Sequence, residues 1–310
     1  MSPEPPRPPG VFVGVDLGGT ATRFVVTDAR LRVLDSYTAS TPSNGSEKDL
    51  TAFFVSGISK VAGARPLTAI GVGASGPIDR DGVIQNPDTL PAFTGADIPG
   101  ILTDTFHLPS FIENDAVTAA LGEAVSGAGR GFDTILMVTL GTGIGVSMLQ
   151  GGKPVRGADG QHPEAGHLSI GGPAAPCYCG RTTCWEQAAS RQALQRASTG
   201  QLPHPSNTSD DIRAVADLAS TGDRGAIELL DSYGLRLADG LATLLTIYRP
   251  EILVLGGSGA TYLPHYRRSL TASLDNLTDT FPRPTITGAD FGEYGGAIGA
   301  AALARTGHQL

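Results

Sequence analysis

The chain has 310 residues, 40% of them hydrophobic, with a formal net charge of −8 and a mean hydropathy of +0.01. That size supports one large domain or two modest ones around a sizeable core, and the acidic balance argues against a nucleic-acid binder, which needs a basic face to neutralise phosphate. No stretch approaches the about 18 consecutive apolar residues of a membrane span, and the head MSPEPPRPPG carries prolines and charge where a secretory signal needs an apolar segment, so a cytoplasmic protein is expected.

Residues 1–10 hold five prolines, which deny the backbone regular hydrogen bonds, and read as an untethered tail. VFVGVD (11–16) and TRFVVTD (22–28) then read as strands around a Gly-Gly-Thr turn, with a third strand near 31–39. A helix is expected over 47–62, a strand at TAIGVGAS (68–75), a turn-rich loop over 76–99 and a short helix before PSFIEND, where a strand runs into a helix at Asn114. DTILMVTLGTGIGVSML (133–149) repeats the pattern of strand, glycine turn and strand. Residues 210–247 read as largely helical, EILVLGGSG (251–259) as a strand ending in glycines, and 294–306 as a final helix. Strands alternating with helices define an α/β class. The recurrence of VDLGGTATRFVV as VTLGTGIGVSML predicts an internal duplication: two related lobes facing a cleft, divided near residue 114, with the last helix crossing back to the first lobe.

The glycine turns let backbone N–H groups approach an anion, so Gly18, Gly19 and Thr20 could cradle phosphate while Asp16 holds a cation beside it, and Gly141, Thr142 and Gly143 could do the same. Ordinary hairpin turns would explain either motif alone; their recurrence in matching contexts tilts the reading toward nucleotide. Neither is a P-loop or a dinucleotide fingerprint, because the required spacings are absent. Arg23 could reach phosphate or simply be solvated.

All three cysteines fall within eight positions. His167, Cys177, Cys179 and Cys184 supply one imidazole and three thiolates, the tetrahedral donor set of a closed structural zinc site, with no open position for an activated water. Glu164 and Glu186 flank this knot, where a stapled loop would hold them to accept hydrogen bonds from vicinal hydroxyls; two solvated glutamates are the alternative. In FIENDAVTAALGE, either Asn114 or Asp115 caps the helix. Asp115 could be only a cap, or a general base for a hydroxyl attacking a γ-phosphate. His162 reads as a surface or packing residue.

Taken together, DLGGT at 16, END at 113, LGTGIG at 140, EAGH at 164, CYCGRTTCWE at 177 and LGGSG at 255 resemble, in order and rough spacing, the ROK family of sugar kinases, and bacterial glucokinases most closely. The resemblance spans nearly the whole chain after residue 10. It implies an actin-like, ribonuclease H-like two-lobed kinase with an interlobe cleft, made of a small lobe (11–113 plus about 295–310) and a large lobe (114–294) carrying the zinc knot. It implies ATP and Mg2+ as phosphoryl donor and metal, a structural Zn2+, and phosphorylation of a hexose at its 6-hydroxyl. By position it makes Asp115 the general base and puts Gly76, Asn114, Glu164, His167 and Glu186 on the sugar, His167 also serving the zinc. Asp16, Gly18, Gly19, Thr20, Arg23, Thr142 and Gly143 fall to metal and phosphate, and Gly256 and Gly257 to adenosine. It also implies a homodimer.

The chain departs from the family pattern in three places. Thr183 replaces the second glycine of the knot, so the backbone there must avoid glycine-specific angles. Ser75 and Ser147 stand where the family pattern differs, both expected near the cleft. The loop QNPDTLPAFTGADIP does not match the sugar-approaching loop of glucokinases, which keeps an amino sugar (kanosamine, N-acetylmannosamine or N-acetylglucosamine) or a C7-cyclitol open as substrate. Family repressors carry a helix-turn-helix domain before the first strand; ten residues precede it here, and that with the acidic charge sets DNA binding aside. A sugar-binding regulator without catalysis is the remaining alternative.

Overall fold

The computed structural model describes residues 10–171, 175–277 and 283–307. The tail read over 1–10 lies outside them except for Gly10, as do residues 308–310 of the expected small lobe. Within the described residues the elements run β1 (Val11–Leu17), β2 (Ala21–Asp28), β3 (Val33–Ser40), α1 (Glu47–Ala62), β4 (Ala69–Ala74), α2 (Ile98–Phe106), β5 (Ser110–Asn114) and α3 (Asp115–Ser126). They continue with β6 (Thr134–Leu140), β7 (Ile144–Gln150), β8 (Lys153–Pro154), α4 (Glu186–Ala189), α5 (Arg191–Gln201), α6 (Asp210–Ser220) and α7 (Arg224–Tyr248). The last are β9 (Ile252–Gly256), α8 (Leu263–Asp275), β10 (Thr285–Gly288) and α9 (Gly295–Thr306).

Two five-stranded sheets result, ordered β3-β2-β1-β4-β5 and, read from the matching edge, β8-β7-β6-β9-β10. The two orders correspond strand for strand, so the duplication legible in the glycine turns extends to the sheets. β1 pairs antiparallel with β2 and parallel with β4, which pairs parallel with β5. Parallel strands are covered on both faces and therefore read as unbroken apolar runs; β4, AIGVGA, is buried at every position.

Residues up to Asp133, with 149–163 and those from Glu293 onward, form one compact unit; 134–148 and 164–292 form the other. The sequence reading divides the chain near residue 114 instead. In the structure α3 stays with the first unit because it packs on α9, so closely that a Cβ on Gly299 would lie 1.7 Å from the Thr118 carbonyl oxygen. α9 lies on β1 and β4, and Gly71 is required there: a Cβ would come within 1.9 Å of the Ala300 carbonyl oxygen. The core of this unit gathers Val13, Val15, Phe24, Ile70 and Val72 with Phe54 and Ile58 of α1. Phe53 meets Phe24 and Phe93 edge-on at 5.7 and 6.1 Å, a favoured arrangement of ring quadrupoles.

In the second unit α7 buries Leu230, Leu237, Leu241, Leu244 and Leu245 on one stripe, the i, i+3/i+4 pattern of an amphipathic helix. Tyr233 of α7 meets Tyr266 of α8 edge-on at 5.0 Å and donates to the Ala189 carbonyl at 2.8 Å.

Candidate functional site

The candidate residues divide between the two units. In the first, β1 and β5, which flank β4 in the sheet, deliver their acids at the same ends of their parallel strands. β5 ends in Glu113 and Asn114, and α3 starts at Asp115. Asn114 is the N-cap: its side-chain oxygen accepts from the Ala116 N–H at 2.8 Å, and its amide nitrogen donates to the Gly76 carbonyl at 3.1 Å. Capping therefore does not depend on Asp115. Its carboxylate instead sits at the first helical position, where the helix dipole favours negative charge. Ser75 Oγ donates to Asp115 Oδ2 and Ala116 N to Oδ1, both at 2.8 Å. Burial pushes the Asp115 carboxyl above its ordinary range, while the Ser75 and Ala116 hydrogen bonds pull it back.

Asp16, at the end of β1, lies against the start of α9, where a Cβ on Gly296 would come 2.8 Å from its Cγ. Arg23, its pairing partner on β2, approaches it at 3.6 Å and Glu293 at 3.8 Å, so the guanidinium is ion-paired rather than merely solvated. Thr20 is exposed, and the turn at Gly18, Gly19 and Thr20 is tied down by Thr41, which donates from N to the Thr20 carbonyl at 3.0 Å and from Oγ1 to the Gly18 carbonyl at 2.6 Å.

Burial, together with the Asp115 charge, raises the Asp16 carboxyl to about 7, with Arg23 opposing. A carboxyl raised in the folded state holds its proton more tightly than in the unfolded chain, so its contribution to stability is complete below the unfolded value of 3.8 and is lost as pH rises toward 7. Asp16→Asn is therefore expected to flatten the fall in melting temperature of the protein free of magnesium and nucleotide between pH 5 and 8, with a gain of about 5 °C at pH 8. Parallel melting curves for the two proteins would remove the reading.

Glu113 is buried, its carboxylate paired with the Arg156 guanidinium and accepting from Asn114 N at 2.7 Å. Burial still raises its pKa despite Arg156. Arg156 also donates to the Gly160 carbonyl at 2.8 Å, so one residue ties the loop after β8 to the end of β5. His162 is buried as expected for a packing residue, and burial and Arg156 lower its pKa to about 4. Ser147, expected near the cleft, is instead fully buried within β7.

In the second unit the knot is assembled on Trp185, the single tryptophan of the chain, fully buried, with its indole N–H on the Arg236 carbonyl of α7 at 3.0 Å. Its neighbours Cys184 and Glu186 are held with it. The ligand atoms of His167, Cys177, Cys179 and Cys184 all lie within 4.8 Å of one another. That spacing and donor set fit a tetrahedral zinc ion. His167 turns Nδ1 toward Cys177 Sγ at 3.5 Å, while its Nε2 meets the Tyr178 hydroxyl at 2.8 Å. Thr183 adopts no positive φ, and its carbonyl accepts from Ile170 N at 3.0 Å, so the loss of glycine there costs the loop no strain.

Glu186, buried at the start of α4, accepts from the Cys177 thiol at 3.1 Å and lies 3.5 Å from His167 Nδ1. A Cβ on Gly143 would sit 2.5 Å from Glu186 Oε2, so the glycine admits this carboxylate to the β6–β7 turn. Thr142, beside it, is exposed, as is Glu164 before the short 3-10 turn that carries His167. Gly257 has φ +74° and packs on Leu140, bringing the end of β9, with Gly256, against the end of β6. The structure thus gathers His167, the cysteines, Glu186 and Gly143 tightly.

The sequence reading flagged Ser75 only as a departure and passed over Arg156 and Tyr178. Tyr178 had a signal, its place between two ligand cysteines. Arg156 had none, because its partner lies 43 residues away.

Paired sheets of matching order, each opening with a strand, glycine turn and strand, define the actin-like class of ATPase folds. The ROK family profile matches residues 12–307, and the chain belongs to the ROK family. A glucokinase of Thermotoga maritima is 31% identical over 257 residues, covering 79% of this chain and 81% of the relative. The xylose repressor of Bacillus subtilis is 31% identical over 255 residues, covering 80% of this chain and 64% of the repressor. A ROK family glucokinase from Streptomyces griseus, solved in complex with glucose and AMPPNP, is similar with a TM-score of 0.83 and 28% identity, covering 96% of this chain and 100% of that one.

Proposed function

We propose that the protein is an ATP-dependent sugar kinase that transfers the γ-phosphoryl group to a hydroxyl of glucose or a glucose-like sugar, with the 6-hydroxyl as acceptor. The observation that carries the reading is Asp115: a carboxylate that leaves the N-cap to Asn114, is held through both oxygens and is raised above its ordinary range by burial. Such a group suits a general base, because a raised carboxyl accepts a proton more readily than an ordinary aspartate. The acceptor oxygen attacks the γ-phosphorus in line as its proton passes to the Asp115 carboxylate, and ADP departs with the bridging oxygen.

Asp16 is the carboxylate that would hold magnesium, which when bound with nucleotide neutralises charge on the phosphates. The Gly18–Gly19–Thr20 turn, Arg23, Thr142 and Gly143 serve phosphate, and Gly256 and Gly257 the adenosine. Gly76, Asn114, Glu164, His167 and Glu186 hold sugar hydroxyls; of the Asn114 amide, one hydrogen remains for this after Gly76 is satisfied. His167, Cys177, Cys179 and Cys184 would bind zinc with a filled shell, so the metal orders the loop and supplies no Lewis acid. The same reading makes the protein a cytoplasmic homodimer; no helix among the described residues is long and apolar enough to cross a membrane.

The likeness to a xylose repressor favours a second reading, a sugar-binding regulator. The supported base at Asp115 favours the kinase. A screen of sugar-dependent ADP release over glucose, mannose, N-acetylated hexosamines, aminodeoxyglucoses and cyclitols separates them. At least one sugar is expected to reach a kcat/KM of about 10⁴ M⁻¹ s⁻¹ or more. Tight sugar binding with no sugar-stimulated ADP release would leave the regulator.

A further inference from the structure

We infer that Ser75 is the positioning residue of this enzyme, its hydroxyl fixing the carboxylate of Asp115 for proton abstraction; the inference rests on the reading of Asp115 as base. Ser75 follows β4 directly, and its backbone is held from both sides: its N–H donates to the Leu17 carbonyl at the end of β1 at 3.3 Å, and its carbonyl accepts from Asn86 Nδ2 at 3.1 Å. The next residue, Gly76, is fixed as well. Its φ of +94° belongs to the left-handed region, a Cβ there would strike Asn86, and its carbonyl accepts from Asn114. The backbone thus fixes the Cβ that carries the hydroxyl, and the hydroxyl points at Asp115 Oδ2 at 2.8 Å.

The other carboxylate oxygen accepts at the same distance from Ala116 N–H, a hydrogen it shares with Asn114 Oδ1. One donor on each oxygen sets the rotation of the side chain and of the carboxylate plane while leaving each oxygen a further lone pair. A base held this way meets the acceptor hydroxyl in one orientation, and effective molarity falls steeply when a catalytic group is displaced by even 1 Å. A hydrogen bond to the charged form also offsets part of the burial that favours the protonated acid. Removing the Ser75 hydroxyl leaves the backbone bonds of residue 75 in place, so the effect falls on the orientation of Asp115.

Steady-state kinetics with the best sugar from the screen test this in Ser75→Ala, Ser75→Thr and Asp115→Asn. Ser75→Ala is expected to lower kcat by about 10- to 100-fold with KM for sugar and ATP changed by less than about twofold, because the hydroxyl's hydrogen bond goes to the base. Ser75→Thr, which restores a hydroxyl at the same carbon, is expected to recover most of kcat. Wild-type kcat in Ser75→Ala, a rise in KM alone, or a kcat loss that threonine does not restore would each overturn the inference. An Asp115→Asn protein with wild-type kcat would instead overturn the reading of Asp115 as base, whatever the serine variants do.

Discussion

Asp115→Asn is expected to lower kcat by about 10²- to 10⁴-fold, the range that loss of a general base typically costs, with KM for sugar and ATP little changed. The substitution is nearly isosteric. The asparagine oxygen can still accept from Ala116 N, and its amide can donate to Ser75 Oγ, so both contacts of the native side chain survive in altered polarity. Helix initiation is untouched because Asn114, one residue earlier, supplies the cap. The folded protein should even gain from the change at neutral pH. A carboxyl raised by burial contributes stability only while it keeps its proton, and that contribution is gone once pH exceeds the folded value. The neutral amide never ionises, so the variant's melting temperature at pH 7.5 should match or exceed that of the wild type while kcat collapses. The wild-type rate should fall on the acid side with a midpoint above the ordinary aspartate value, since the proposed base acts as the carboxylate; the residual activity of the variant should lack that limb. A variant that loses kcat and melting temperature together would point to a structural aspartate.

How much of this was readable from the sequence depended on range. Helix α1 was expected over 47–62 and forms over Glu47–Ala62, because its apolar stripe and the Ser46–Asp49 pair that opens it are local. The clustering of His167 with the cysteines was readable for the same reason, with three cysteines inside eight residues and a histidine ten before the first. The choice between Asn114 and Asp115 as cap was not, since both are good capping residues and only backbone geometry distinguishes them. β8 and β10, of two and four residues, were too short to show an alternating pattern, and α5 and α8 were passed over although each carries a buried stripe. The contacts that give the acids their character, Ser75 with Asp115 and Arg156 with Glu113, join residues 40 and 43 positions apart and exist only once the strands are aligned. The placement of α3 in the first compact unit rests on a contact of the same kind. Nothing in the sequence of α3 says that α9, far along the chain, will cover it.

Removing zinc, by chelation or by Cys184→Ser, is expected to lower kcat/KM for the sugar by more than the about 10- to 100-fold that loss of an outer partner of a metal ligand typically costs, since here a ligand or the ion itself goes. Without a cation the cluster cannot stay ionised. Burial and the neighbouring thiols push Cys184 up to about 12, and burial raises Cys177, whereas backbone N–H donation lowers the exposed Cys179. Cys177 and Cys184, which burial favours as thiols, are thus thiolates at neutral pH only when a cation offsets that cost. The imidazole is already in the matching tautomer if its Nε2–H donates to the Tyr178 hydroxyl, which turns the Nδ1 lone pair toward the sulfurs. In the proposed function Glu186 is the link to the sugar: its carboxylate accepts from the protonated Cys177 thiol and lies beside His167 Nδ1, so a change in the ionisation of Cys177 with the occupancy of the knot acts directly on that acid. Trp185 reports the event directly. It is the only tryptophan, follows Cys184 in the chain and is fully buried, so its emission should shift to the red as the knot opens, at the same chelator exposure that lowers activity. Purified, reduced protein should carry about one zinc per chain. Full activity and unshifted tryptophan emission in metal-free protein would show that the four residues pack without an ion and that Glu186 owes its place to Trp185 alone.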